Sequence, residues 1–314
     1  MRKIVLLIGL ILLLSLSVSC NNESESVTSN KDESKDDYFI LENGDLQINI
    51  ENQTRVLEIN ALPDSQIIKD EKERILILTD PTVQYKHGIL GDDIEARSVT
   101  IIELSDHPEV ISKFSVPADW VSESILPIWH DWDEDGQREV LLTLSNDKSG
   151  AKLSLYDEEG NVLAESDPIG LGYRWRHALD IAEFGDDGQK LLVEVQTPHI
   201  GGIVNFYSWH KDNGVLKKEA TLSGYSTHDI GSRDMGMFTL IKDEQNEQVL
   251  LILPNQSKTE LAALRLVEGK INEEWHIPIG GRLSGNLKLV DINGVKSIRA
   301  TLDKNQEVLL KLTE

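Results

Sequence analysis

Asp131-Trp132-Asp133-Glu134-Asp135-Gly136-Gln137-Arg138-Glu139 runs without a break into Val140-Leu141-Leu142-Thr143-Leu144. A stretch so rich in carboxylates has no place in an apolar interior, and Gly136 allows the chain to turn tightly. The run that follows is short, apolar and bounded by polar residues, which predicts a buried strand rather than a helix. Two further short strands follow, Lys152–Tyr156 and Asn161–Ala164, joined by the turn Asp157-Glu158-Glu159-Gly160. The local unit is therefore an acidic turn, a buried strand and two more strands.

The same unit recurs outward in both directions. Ile75-Leu76-Ile77-Leu78 and Val249-Leu250-Leu251-Ile252-Leu253 are runs of the same kind. Taking the first residue of each run as an anchor gives Ile75, Val140, Leu192, Val249 and Ile298, at intervals of 65, 52, 57 and 49 residues. Four short antiparallel strands in roughly 50 residues is the period of a propeller blade. The expectation is an all-β chain folded as a five-bladed β-propeller. Six or seven blades are compatible with the long first interval, and an irregular β-sandwich is the competing fold. The last repeat ends after Ser297–Leu302 and Gln306–Leu312, so Leu46–Ile50 or Arg55–Ile59 is expected to complete it. Closing the ring with strands from both termini would remove an exposed edge.

The N-terminus has a different character. Arg2 and Lys3 precede an apolar run from Ile4 to Val18, shorter than the roughly 20 residues needed to span a bilayer. It has the form of a signal peptide. Leu16-Ser17-Val18-Ser19-Cys20 resembles the bacterial lipobox, with Ser17 where leucine is more usual, and Cys20 is the one cysteine of the chain. The resemblance implies cleavage after residue 19 and acylation of Cys20. The chain would then be held on a cell membrane or outer membrane, facing away from the cytoplasm. Residues 20–37 are polar and read as a tether, which leaves residues 38–314 for the β domain. The formal charge of −23 becomes −25 once Arg2 and Lys3 are removed. Such a surface repels nucleic acid and anionic headgroups and favours divalent cations.

Within the acidic turn, carboxylates at Asp131, Asp133, Asp135 and Glu139, with the carbonyl of Gln137, suit a hard cation such as Ca2+. Leu142 stands where an EF-hand would place its bidentate glutamate, and a strand follows, so the turn is a different device. An acidic turn without metal is the other reading. Partial copies occur at Glu183, Asp187 and Gly188, with Gly185 in a ligand position, and at Asp291, Asn293 and Gly294; these are expected to hold their turns by side-chain bonds to the backbone. The sequence here resembles the FG-GAP/VCBS repeat proteins, whose blades carry D-x-D-G-D-G-x-x-[DE] before a strand. It is similar to a bacterial subfamily through Tyr85-Lys86-His87-Gly88-Ile89-Leu90-Gly91-Asp92 with Glu95-Ala96, Thr197-Pro198-His199-Ile200-Gly201-Gly202 and His228-Asp229-Ile230-Gly231-Ser232-Arg233. The resemblance spans roughly residues 70–310. It implies the fold and a calcium turn, and no reaction.

Sixteen residues before the anchors stand Ser124, Arg176, Arg233 and Arg282. If the strands that follow are innermost, these arginines form an arc at one mouth of the channel. His177 and His228 are their sequence neighbours, and His199 and His87 lie in loops expected on the same face. Guanidinium groups bind carboxylate or phosphate bidentately, so the cluster is a candidate site for an acidic sugar or a protein partner. Salt bridges to Asp180, Asp229, Asp234 or Asp92 would instead fill the channel. The histidines lack H-x-H or H-E-x-x-H spacing, which argues against zinc. Neither G-x-S-x-G nor a Walker A loop is present. The tryptophans Trp120, Trp129, Trp132, Trp175, Trp209 and Trp275 read as packing residues, with Trp175 a candidate for stacking on a sugar. The leading expectation is a displayed, non-enzymatic propeller that binds a ligand or partner at its mouth. The alternative is a lyase or hydrolase of an acidic polysaccharide.

Overall fold

The computed structural model describes residues 37–50, 53–243 and 248–312. Cys20, the signal segment 1–19 and nearly all of the tether lie outside the described residues. Among those described, the chain is all-β: 23 strands and three single-turn 3-10 helices, with no α-helix.

The strands form four hydrogen-bonded sheets; by their main antiparallel ladders they divide into six consecutive groups, of which the second, third and fourth are joined into one 13-stranded sheet by the single pairs Ala96–Ser122 and, in parallel, Glu165–Val215. Asp37–Ile40, Leu46–Ile50 and Gln53–Leu57 form the first. The second is Ile68–Lys69, Arg74–Thr82, Glu95–Glu103 and Glu109–Ser115. In the third, the short strands Val121–Ser122 and Ile128–His130 both pair with Glu139–Asn146, which is followed by Gly150–Tyr156 and Val162–Glu165. Arg176–Ala182, Leu191–Gln196, Ile203–His210 and Val215–Ser223 make the fourth. Thr239–Lys242, Val249–Pro254, Glu260–Val267 and Lys270–Pro278 make the fifth. Lys288–Ile292, Val295–Leu302 and Gln306–Lys311 make the last. The five anchors read from the sequence all fall in the long strand that follows the opening strand or strands of their group.

Two expectations are corrected. Leu46–Ile50 pairs with its own neighbours, and the stretch expected at Arg55–Ile59 is strand only as far as Leu57, within Gln53–Leu57. Neither joins the C-terminal group, and among the described residues no ladder links the two. The N-terminal strands thus satisfy one another locally. The last group also has an opening strand, Lys288–Ile292, hidden in the sequence because it is exposed and carries Asp291.

Side-chain alternation explains why the anchored runs are apolar throughout. Successive residues of a strand point to opposite faces, and here both faces are covered. Leu76 and Leu78 pack with Val140, Leu142 and Leu144 of the third group, whereas Ile75 and Ile77 pack with Leu46 and Ile48 of the first. Leu141 joins Leu192 and Tyr207; Val193 and Val195 join Leu251 and Leu253; Ile252 joins Ile298 and Ala300. Each group is thereby clamped to the next by its own apolar cluster. Leu142, fully buried, is a position where truncation to Ala costs about 2–5 kcal/mol.

Antiparallel order sends the loops after the second strand of each group, and those between groups, to one end. Gly91 shows how closely these loops approach. At φ +111°, an added Cβ would stand 2.5 Å from the Arg233 guanidinium and 2.9 Å from the Gly231 carbonyl, so glycine is required. The acidic turn lies at the opposite end.

Candidate functional site

Trp175 is the centre of the loop end. It is 2% exposed, and its indole N–H donates to the Glu123 carbonyl at 2.8 Å. The imidazoles of His228, His177 and His199 lie 4.8, 5.0 and 6.2 Å from it, centroid to centroid. The three histidines expected on one face are thus one cluster. His228 donates from Nε2 to the Ser232 carbonyl at 2.9 Å, so its Nδ1 accepts, and His199 donates to it from Nε2 at 3.0 Å. His177 Nδ1 meets Thr227 Oγ1 at 2.8 Å.

This arrangement suits neutral rings. Burial depresses all three, and the mutual proximity of the rings adds to this for His177 and His199. His199 falls to about 4 and His177 lies well below the usual range. Protonation near pH 6, which would have turned the cluster into an anion trap, is not what this packing supports. His87 is placed differently. Its Nδ1 lies 2.5 Å from Oε1 of the fully buried Glu123, whose other oxygen accepts from Ser145, and its ring stacks on Tyr173.

Each arginine turns to carboxylates of its own. Arg176 is 1% exposed and turns back into its own group. There it makes a two-pronged pair with Glu194 at 2.7 Å each and bonds Tyr207 and Ser166. Arg233 reaches Asp64 at 2.8 Å and Asp92 at 2.5 Å. Arg282 pairs with Asp229 and lies 3.6 Å from Asp303. The 16-residue register aligned their backbones, but long side chains chose different carboxylates. Arg176 and His177 are therefore enclosed and unavailable to a ligand.

What remains open is a groove of about 420 Å³ lined by His199, Ser226, Asp229, Gln256, Lys258 and Arg282. Lys258 donates to Asp229 at 2.6 Å and to the His228 carbonyl at 2.8 Å. Burial works against the Asp229 charge, yet Lys258 and Arg282 together hold its carboxyl below the usual range. Two cations share one carboxylate. Lys258 was not legible beforehand: it sits in a short polar turn with nothing in its spacing to mark it. Glu123 was one residue away from the aligned position at Ser124.

At the other end, oxygens of Asp131, Asp133 and Glu139 lie within 4.8 Å of one another. Asp131 Oδ2 accepts from the Gly136 amide, while Asp131 Oδ1 is buried with no hydrogen-bond partner. Glu139 Oε2 accepts from the Trp132 amide at 2.8 Å, and its carboxyl is pushed up to about 7 by burial and the charges of Asp131 and Asp135. Asp135 stands apart: it is exposed, it caps the Gln137 amide at 2.8 Å, and it does not enter the group. An orphaned oxygen among three close carboxylates fits a hard cation. Lys211 already pairs with Asp133, so a cation must displace that ammonium. In the degenerate copy, Asp291 Oδ1 accepts from the Gly294 amide at 2.7 Å, an ordinary turn.

No family model and no curated protein matches the chain. Among solved structures it is similar to a functionally unknown protein from Desulfotomaculum acetoxidans, at 11% identity and a TM-score of 0.47, over 86% of this chain and 76% of that one. It is similar to BBS1N in its complex with ARL6DN, at 11% identity and 0.49, over 89% and 77%. It is also similar to the rhamnogalacturonan lyase YesW, at 12% identity and 0.40, over 80% and 60%. Likeness at this level carries no activity over to this chain.

Proposed function

We propose that this chain is an extracytoplasmic lipoprotein whose domain is a β-propeller that binds an anionic ligand or partner at the loop-end groove. The six strand groups, each packed face to face on the next, support six blades rather than five. The observation that carries the binding reading is the meeting of two cations in the groove: Lys258 and Arg282 both pair with Asp229, and Asp303 lies 3.6 Å from Arg282 outside the groove lining. In a chain of net charge −23, such a spot stands out to an acidic molecule. Binding is favoured over catalysis because Arg176 is enclosed with Glu194, Arg233 is paired with Asp64 and Asp92, and His177 and His228 are packed away, which leaves His199 as the one histidine of the cluster on the groove. A general acid or base must reach its substrate.

The test is titration with tetragalacturonate. Removing one charge-assisted bond costs about 1.5–3 kcal/mol, so Arg282→Ala should weaken binding by roughly tenfold or more. Affinity should fall as salt rises, and Arg176→Met should matter only through stability. Binding indifferent to salt and to Arg282 would overturn the reading.

The cation at the acidic turn is a second part of the proposal. Ca2+ bound to the native state alone adds about 2.7 kcal/mol at a hundredfold excess over Kd. Chelation should then lower Tm by about 5 °C or more in a domain of this size, and Asp133→Ala should abolish the difference. A melting curve unmoved by chelator or added Ca2+ would reduce the site to a turn held by Lys211. The anchor rests on the h-region and Cys20. Cys20→Ala is expected to release the protein from membranes or to leave its precursor uncleaved, read by fractionation and N-terminal mass.

A further inference from the structure

A second groove, of about 270 Å³, opens at the end of the strands opposite the cationic one. Its walls are Trp132 and Trp209, with centroids 5.9 Å apart and rings tilted by 50°. Trp132 is 5% exposed and is fixed by its indole N–H, which donates to the Lys190 carbonyl at 3.1 Å. Trp209 is only partly buried, and its Nε1–H is enclosed with no acceptor among the described residues. The indoles of Trp129, Trp132 and Trp175 all have acceptors.

The rim supplies donors and acceptors in balance. Lys211 pairs with Asp133 and Lys190 lies 3.2 Å from Glu134, and Gln189 also lines the groove. These four charges cancel, and the carboxylates of Asp131 and Glu139 stand behind them. A negatively charged ligand is therefore disfavoured. An indole face bordered by mixed donors and acceptors matches a molecule with an apolar face and hydroxyls at its edge. We infer that the Trp132–Trp209 groove is a binding site for one ring of a neutral saccharide. The pyranose lies on Trp209, and its hydroxyls meet Gln189 and Asp133. Lys211 holds its ammonium 4.8 Å from the Trp209 centroid; it is half exposed on a flexible stem, and the sugar displaces it. The cationic groove offers only Pro198 and Ile230 as apolar walls, so the two ends take different chemistries.

The test is tryptophan fluorescence and calorimetric titration of the protein with cellotetraose, mannotetraose and galactotetraose. At least one should bind saturably. Trp209→Ala should weaken it by roughly tenfold or more, and Trp209→Phe by no more than about threefold. Lys211→Ala should tighten it by uncovering the ring, an effect that a purely structural Trp209 would not produce. Arg282→Ala should leave it unchanged. Because Trp209 also packs against the core, each variant is melted first, and the Phe and Lys211 variants decide if the Ala variant unfolds. The inference is overturned if none of the three sugars binds, if folded Trp209→Ala binds as the wild type does, or if tetragalacturonate proves to be the ligand lost with Trp209.

Discussion

Glu194→Gln is expected to destabilise the protein by about 3–5 kcal/mol, the usual cost of removing one partner of a buried ion pair. Arg176 and Glu194 are 1% and 0% exposed, with both prongs at 2.7 Å. Tyr207 and Asn205 complete the bonding of the carboxylate at 2.8 and 2.9 Å. Burial pushes the Glu194 carboxyl up, but the charge and hydrogen bonds of Arg176 outweigh it and hold the group below its usual range. A carboxyl so depressed contributes stability above its unfolded pKa of 4.5, and loses it as pH falls through the folded value. The substitution leaves a guanidinium in the interior with only neutral acceptors. Arg176→Met combined with Glu194→Leu should cost much less, because it removes both desolvation penalties. Urea denaturation of the three proteins at pH 7 measures this. A loss under about 1 kcal/mol for Glu194→Gln would mean that water reaches the pair.

This pair also shows where the sequence stops being informative. The anchors could be read because burial on both faces forces every residue of a strand to be apolar, and that leaves a continuous run. The opening strands are short, partly exposed and mixed in composition, as in Thr239–Lys242 and Lys288–Ile292, and carry little signal. Backbone register was enough to align Arg176, Arg233 and Arg282. It could not say which way seven-atom side chains turn, nor that Glu194, on the neighbouring strand, would capture the first. The histidines were legible as neighbours of those arginines or as residues of loops expected on the same face. Their actual organiser is Trp175, whose role depends on a bond to Glu123, 52 residues away. Sequence placed the acidic turn correctly before its strand, yet backbone capping, not convergence, claims Asp135.

Glu95→Gln is expected to stabilise the protein at neutral pH, by about 2–3 kcal/mol. Glu95 opens the strand Glu95–Glu103 and is 2% exposed. Burial pushes its carboxyl up to about 10, and the charges of Glu123, Asp64, Asp92 and Asp93 push in the same direction. At pH 7 the group is therefore protonated in the folded protein and ionised in the unfolded chain, whose value is near 4.5. Each unit between that value and the ambient pH favours unfolding by 1.36 kcal/mol, about 3 kcal/mol in all at pH 7. The stability associated with neutral Glu95 is full below 4.5 and is lost steadily as pH rises towards 10. Glutamine cannot ionise, so it removes that slope while keeping size and polarity; imperfect bonding of the amide takes back part of the gain. The histidines run the other way. Their depressed values make the unfolded chain the better base, so stability falls as pH drops from about 6.5 towards 4, and this limb should be shared by both proteins. Urea midpoints should therefore lie slightly lower for the variant at pH 4, where only the amide's bonding differs, and rise progressively above the wild type at pH 7 and 9. Equal midpoints at pH 9 would show that Glu95 ionises as readily in the folded protein as in the unfolded chain.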